Sequence, residues 1–270
     1  MNFYKILYLF TVYLPLRIRD LFVNFLALLM RRDLVIDVAY RLLREKGLIG
    51  VLPDGNLISY PLDDFKLLSI ISEIYHKRIY DVEQMKGFRC IYDIGAHIGL
   101  FTLRISKEAP NSKIIAIEPN PINFKFLLKN IAINGLKDRI PALNVAIGKR
   151  KEKAVLLLSK ISGGNGSIKK WHNSGAAGSL IVDVIPLDNV LLDERICDLI
   201  KIDVEGAESE VLKGLENQYK KVNRLIVEIH TSIVDASEIC EWLRYHGFVI
   251  TRRQKLYTDC LLLEGRRPCT

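Results

Sequence analysis

The 270-residue chain is 49% hydrophobic and 26% charged, an ordinary globular balance that can bury a full core and is not that of a disordered protein. Its net charge is +8, but the basic residues are scattered and the longest run, Lys149 to Lys153, contains Glu152, so a nucleic-acid surface is not indicated. Five cysteines without a CxxC pair read as free thiols of a reducing, cytoplasmic compartment, and no His/Cys spacing suggests a metal.

Phe3 to Leu14 and Leu21 to Met30 are apolar stretches separated by Pro15, Arg17, Arg19 and Asp20 and followed by Arg31 and Arg32. Each is shorter than the roughly 20 residues that cross a bilayer, and no small-residue cleavage site follows. Residues 1–32 therefore read as an amphipathic helical extension. It would lie at the inner face of a membrane as a peripheral contact, or pack as a hairpin on the rest of the chain or a second subunit.

Residues 33–87 read as a small accessory region. Leu34, Val38, Leu42 and Leu43 have helical spacing that Gly47 ends. Two short apolar runs, Leu48 to Leu52 and Leu57 to Tyr60, flank Pro53-Asp54-Gly55-Asn56 and predict a hairpin. Asp63-Asp64 then opens a helix through about Tyr75.

Over residues 88–270 strands and helices alternate, which predicts an α/β fold with a mostly parallel, Rossmann-like sheet. Predicted strands are Arg89–Ile94, Lys113–Glu118, Ile140–Ile147, Asp198–Val204 and Arg224–His230; predicted helices are Leu100–Glu108, Pro121–Ile133, Ala207–Leu215 and Ala236–His246. Phe248–Thr251 and Tyr257–Glu264 predict an antiparallel edge. Ala154–Leu158 and Leu180–Leu187 read as two added strands around a Gly/Ser-rich loop from Ser162 to Ser179, placed to cover the site.

The run Tyr92-Asp93-Ile94-Gly95-Ala96-His97-Ile98-Gly99-Leu100-Phe101-Thr102 joins a strand end to a glycine turn that opens a helix, where an α/β fold holds a cofactor. Its GxxxG spacing puts His97 where a dinucleotide site has its middle glycine, which crowds a pyrophosphate. An amino acid joined to a nucleoside, as in S-adenosylmethionine, meets no such obstacle. No GK[ST] follows, so the P-loop reading fails. The next strand ends in Glu118-Pro119-Asn120, placing a carboxylate where ribose hydroxyls would lie.

Further on, Lys201-Ile202-Asp203-Val204-Glu205 ends a strand with two acids pointing one way. Buried carboxylates need a cation or donors, and Lys201 or a sulfonium would serve. Glu205 and Glu208 would also favour the N-terminus of the next helix. Val227-Glu228-Ile229-His230 brings another polar pair to the same edge, and His230, with its usual pKa near neutrality, is a candidate base for a substrate hydroxyl.

Asp93 to Thr102, Glu118-Pro119-Asn120-Pro121 with Asn123, Asn144 to Gly148, Leu187-Asp188, Asp198 to Glu208 and Val227 to His230 together resemble the FkbM-type methyltransferases over about residues 78–264. The resemblance implies a class I methyltransferase fold that uses S-adenosylmethionine, usually to O-methylate sugars or other small metabolites. Carried onto this sequence it implies that Gly95, Ala96 and Gly99 border the methionine part, Glu118 binds the ribose, and Asn144 to Ala146 border adenine. Asp93, His97, Thr102, Pro119, Asn120 and Asn123 complete the cofactor set. His97 stands where family members often have Asn. Asp203, Glu205 and His230 are the candidate reaction residues, and the partner would be a small-molecule or glycan acceptor. Competing readings are an RNA methyltransferase, suggested by charge; a nicotinamide-dependent oxidoreductase, disfavoured by GxxxG; and a non-catalytic, membrane-attached binding module that kept the fold. No [DN]PP[YFW] run follows Ile202, which argues against methylation of base amino groups.

Overall fold

The computed structural model describes residues 47–61, 67–159, 166–167, 176–191 and 196–268. The extension over 1–32, the helix over 33–46, the start of the Asp63 helix and most of the Gly/Ser-rich stretch lie outside the described residues.

The chain first forms an antiparallel hairpin, β1 (Leu48–Val51) and β2 (Leu57–Tyr60), then a short helix α1 (Leu67–Ile71) that widens into a π-helical turn at Ser72–His76. The central sheet follows with β3 (Cys90–Ile94), α2 (Leu100–Glu108), β4 (Lys113–Ile117), α3 (Pro121–Ile133) and β5 (Ala142–Leu143). A second sheet contains β6 (Ala146–Ile147), β7 (Glu152–Ser159), β8 (Gly166–Ser167) and β9 (Ala176–Ile185). The chain returns to the central sheet through β10 (Leu199–Ile202), α4 (Glu208–Lys213), β11 (Arg224–His230) and α5 (Ala236–Tyr245), and ends in the hairpin β12 (Val249–Tyr257) and β13 (Cys260–Arg266).

The order across the central sheet is β12-β13-β11-β10-β3-β4-β5, parallel from β11 to β5 and antiparallel at β13 and β12. The fold is α/β with a mostly parallel sheet and an antiparallel edge. From β3 the chain builds outward through β4 and β5, then crosses back to place β10 on the other side of β3. That reversal opens a crevice at the carboxyl ends of β3 and β10, where ligands of such sheets bind.

Period-two alternation explains the continuous apolar runs. Ile91 faces one apolar layer with Leu103, Ile114 and Leu127, while Cys90, Tyr92 and Ile94 face the other with Ile115, Ile200 and Val211. Each such fully buried aliphatic side chain contributes on the order of 1.5–3 kcal/mol.

One predicted strand divides. Ile140–Ile147 reads as continuous, but the structure splits it into β5 in the central sheet and β6 in the second sheet. The break is at Asn144, whose side-chain amide donates to the carbonyls of Glu118 (2.8 Å) and Pro119 (3.1 Å). That anchorage turns the chain out of one sheet into the other. The terminal hairpin is also longer than expected, its turn falling at Thr258-Asp259.

The accessory hairpin is joined to the core by two asparagines on α3. Asn134 accepts from the Leu57 N–H (2.8 Å) and donates to the Leu57 carbonyl (2.7 Å). Asn130 repeats the pattern at Ser59 (2.5 and 2.8 Å) and also donates to the Ile98 carbonyl in the glycine turn (2.8 Å). Four residues of helix advance about 6 Å and two residues of strand about 6.6 Å, so the two amides meet alternate residues of β2 as a neighbouring strand would. Asn130 is fully buried, and its removal leaves Ser59 and Ile98 backbone groups unpaired. Asn130→Ala is expected to cost about 2–4 kcal/mol in urea unfolding, against about 1 kcal/mol for Asn134→Ala at its half-buried position; equal costs would contradict this account.

Candidate functional site

The glycine turn is shaped by its neighbours. Gly95 has φ +80° and a Cβ there would lie 1.7 Å from the Asp203 carbonyl oxygen, so the ends of β3 and β10 touch only because no side chain intervenes. Gly99 has φ +96°, and a Cβ there would crowd Leu127 of α3 at 2.8 Å. The N–H groups of Gly95 and Ala96 both donate to the Ile117 carbonyl (2.9 and 3.0 Å), tying the turn to the end of β4.

Asp93 is completely buried. It accepts from the Thr102 hydroxyl of α2 (2.5 Å) and pairs with Lys201 (3.2 Å), its register neighbour on β10. Lys201 reaches the Gly95 carbonyl and the Asp203 carboxylate as well, each at 3.4 Å. Burial opposes a charge on Lys201, but the Asp93, Asp203 and Glu228 carboxylates outweigh it and hold its pKa above the ordinary value.

Glu118, at the end of β4, is buried with its carboxylate spanning backbone donors: the His97 N–H (2.9 Å) on one oxygen and the Asn120 N–H (2.9 Å) on the other. The Asn123 amide lies at 3.5 Å. Burial pushes its pKa up to about 7, the backbone donors and Lys201 pulling the other way. His97 takes a left-handed backbone, φ +53°, to aim that N–H. Asn120 caps α3 by accepting from the Ile122 N–H (2.9 Å).

At the other side of the crevice β11 delivers Glu228 and His230, two residues apart and therefore on one face. His230 lies between carboxylates: Nδ1 is 2.9 Å from Glu208 Oε1 and Nε2 is 3.2 Å from Glu205 Oε2. Glu208 is fully buried at the start of α4 and also accepts from the Gly206 N–H (2.8 Å). Burial disfavours the imidazolium, but the hydrogen bond that His230 donates to Glu208 and the charges of Glu205 and Asp203 prevail and raise its pKa to about 10. The sequence reading makes His230 a base on its usual near-neutral pKa; the structure surrounds it with acids that keep it a cation through neutral pH. Glu228 accepts from the Tyr80 hydroxyl (2.6 Å) and has the Cys260 thiol at 3.5 Å.

These groups border a cavity of about 380 Å³. Gly95, Ala96, His97, Glu118, Pro119, Asn123, Ala146, Asp203, Glu205 and His230 line it. Asp93, Gly99, Thr102, Asn120 and Asn144 do not; they sit behind the lining and hold the turn, α3 and the strand ends in place. Sequence reasoning passed over Glu228 as a site residue, although its spacing from His230 on one strand was the available signal. It also did not find Ser69, Glu73, Tyr257 and Asp259, which line the cavity from the two flanks and carry no local motif. Tyr257 hydrogen-bonds Glu73 and lies 3.3 Å from Lys77, so the terminal hairpin meets the π-helical turn at the cavity's edge.

The FkbM methyltransferase domain matches residues 93–250, more than half of the chain. The chain belongs to the FkbM methyltransferase family. Methyltransferase sdnD of Sordaria araneosa is 30% identical over 72% of this chain and 86% of its own length. Hexuronic acid methyltransferase AglP of Haloferax volcanii is 30% identical over 64% of this chain and 74% of its own. 31-O-demethyl-FK506 methyltransferase FkbM of Streptomyces tacrolimicus is 25% identical over 75% and 89%. The cofactor of this FkbM protein is S-adenosylmethionine, and the cavity suits it: a buried carboxylate at Glu118 stands at one side and carboxylates outnumber cations at the other, which favours a sulfonium and repels a pyrophosphate. Among the described residues, no helix is long and apolar enough to cross a membrane.

The His230 geometry has a direct spectroscopic consequence. A folded pKa of about 10 against an ordinary 6.5 means that the imidazolium stabilises the fold fully below about pH 6.5 and that this contribution is lost as pH rises through 10. Ring-proton NMR of His230 should show its titration near pH 10, and Glu208→Gln should bring it down by more than one unit; a midpoint near 6.5 in the unmodified protein would contradict the carboxylate clamp.

Proposed function

We propose that this FkbM-family protein transfers a methyl group from S-adenosylmethionine to a hydroxyl of a sugar, glycan or other small metabolite. The observation that carries this reading is the Glu205–His230–Glu208 array, which presents Glu205 and His230 on the cavity wall with Glu208 buried behind them. With His230 charged, the array holds two carboxylates around one cation and becomes neutral when it takes up a proton, which is what an alcohol must give up on methylation. The names of two relatives, a hexuronic acid methyltransferase and a 31-O-demethyl-FK506 methyltransferase, agree with a small-molecule acceptor.

When bound, S-adenosylmethionine supplies an electrophilic methyl group on a sulfonium. Glu118 would hold the ribose hydroxyls, the Gly95 to His97 turn the methionine part, and Ala146 with its neighbours the adenine. Asp203 and Glu205 would orient the acceptor hydroxyl, with the proton passing to Glu205 while His230 keeps that carboxylate in place. Ser69, Glu73, Tyr257 and Asp259 would choose the acceptor and exclude water, because they lie outside residues 93–250 where the family match runs.

Labelled methyl transfer from S-adenosylmethionine, screened across uronic acids, glycosides, small alcohols and RNA, tests the acceptor class. Label should enter a small hydroxylated acceptor as an ether, and a host lacking the protein should accumulate a metabolite lighter by one methyl group. Label confined to RNA would reverse the proposal. With the acceptor in hand, Asp203→Asn and Glu205→Gln should each lower turnover by about 10²-fold or more while leaving binding of the demethylated product within a few-fold.

Glu118 has its own signature. Its carboxyl is protonated below about pH 7 and must ionise to accept two ribose hydroxyls, so affinity for S-adenosylhomocysteine should fall as pH drops below 7. Calorimetry should show Glu118→Ala weakening binding by about 1–3 kcal/mol and flattening that pH dependence.

A further inference from the structure

Glu228 is a cavity-lining carboxylate with only 8% of its surface exposed, and the proposed mechanism makes no use of it. Its charged and titratable surroundings come from every element packed against it. Tyr80, between the π-helical turn and β3, donates its hydroxyl to Oε2 (2.6 Å), and Cys260 of β13 lies 3.5 Å from Oε1. β10 and its end contribute Lys201 and Asp203, which lie 3.4 Å apart, and β3 contributes Asp93, 3.2 Å from Lys201. His230 follows on the same strand, already engaged by Glu205 and Glu208.

Around this part of the cavity Asp93, Asp203, Glu205, Glu208 and Glu228 face the cations Lys201 and His230. Lys201 is committed to Asp93 and Asp203, and His230 to its two glutamates. Glu228 is left with a neutral phenol as its nearest donor. Burial, then the charge of Asp203, push its carboxyl up to about 7, with Tyr80, Lys201 and His230 opposing. A missing positive charge is therefore a property of the wall that Glu228 completes.

We infer that Glu228 is the residue through which the cavity distinguishes the charged methyl donor from its uncharged product, giving up its proton when a sulfonium enters and retaining it when the thioether does. The inference rests on the cofactor and not on the acceptor class, so it stands or falls apart from the hydroxyl reading. Both ligands share the ribose, adenine and amino-acid parts, so the contribution of Glu118 is common to them and cancels in their difference. What differs is one positive charge, and its presence offsets the cost of an ionised Glu228. The consequence is that donor binding strengthens relative to product binding as pH rises through 7, and release of product is favoured by the proton that Glu228 keeps.

The test is calorimetry of the whole chain with S-adenosylmethionine and with S-adenosylhomocysteine between pH 6 and 8, in buffers of different ionisation enthalpy, which counts protons released. The donor should release more protons than the product near pH 7, and its affinity relative to the product should rise about tenfold across the range. In Glu228→Gln both differences should shrink toward those set by the ligands' own amino groups. Tyr80→Phe removes the donor that favours the carboxylate and should move the wild-type transition to higher pH. Equal proton counts for the two ligands in the wild type, or a proton difference that persists unchanged in Glu228→Gln, would overturn the inference. If Glu228→Gln does not fold, a transition unmoved by Tyr80→Phe overturns it. Binding of neither ligand would instead overturn the cofactor assignment on which it rests.

Discussion

Lys201 is a positive charge taken almost completely out of water, and the carboxyl ends of β3 and β10 are arranged around it. Its ammonium joins Asp93 to Asp203 and reaches the Gly95 carbonyl, so one side chain links the glycine turn to the end of β10. Desolvating an ammonium costs several kcal/mol, and the pair repays this only where geometry and further hydrogen bonds are good. Here Asp93 is also held by Thr102, and the aromatic rings of Tyr80 and Phe101 lie 5.8 and 5.7 Å from the ammonium. Removing Lys201 would leave two carboxylates facing each other at the crevice that the sheet's reversal creates.

From that centre the site divides by chemical task. On the Glu118 side, donors are backbone N–H groups whose positions follow from the turn and the start of α3, so a buried carboxylate is held at the cavity wall. On the β11 side, the donors and acceptors are side chains, and each cation is matched to two acids. Such matching keeps His230 charged and leaves Glu228 near its midpoint at neutral pH. The same strand thus carries one group fixed in charge and one free to change it, two residues apart, because Glu208 and Glu205 reach His230 while, among the described residues, a phenol and a thiol are the hydrogen-bond partners of Glu228.

The flanks of the domain meet at the cavity's edge. The π-helical turn after α1 and the β12–β13 turn lie far apart in the chain, yet Glu73 and Tyr257 hydrogen-bond there. The accessory hairpin is held to α3 by Asn130 and Asn134, and so to the central sheet's own helix layer.

Much of this was legible in the amino-acid order, because it depends on local rules. The alternation of apolar residues marks strands buried on both faces, the Gly95 to Gly99 turn marks a strand-to-helix junction, and Glu118, Asp203 and His230 are polar residues ending apolar runs. Only the tertiary structure decided what those residues touch. Asn144 looks like a strand residue until its amide meets the Glu118 and Pro119 carbonyls and divides the strand. Gly95 looks like room for a ligand until the Asp203 carbonyl occupies that space. His230 has an ordinary imidazole in isolation and becomes a lasting cation between Glu205 and Glu208. Periodicity and turn chemistry act over a few residues and can be read from sequence, whereas charge state and close approach are set by groups that folding brings together from distant parts of the chain.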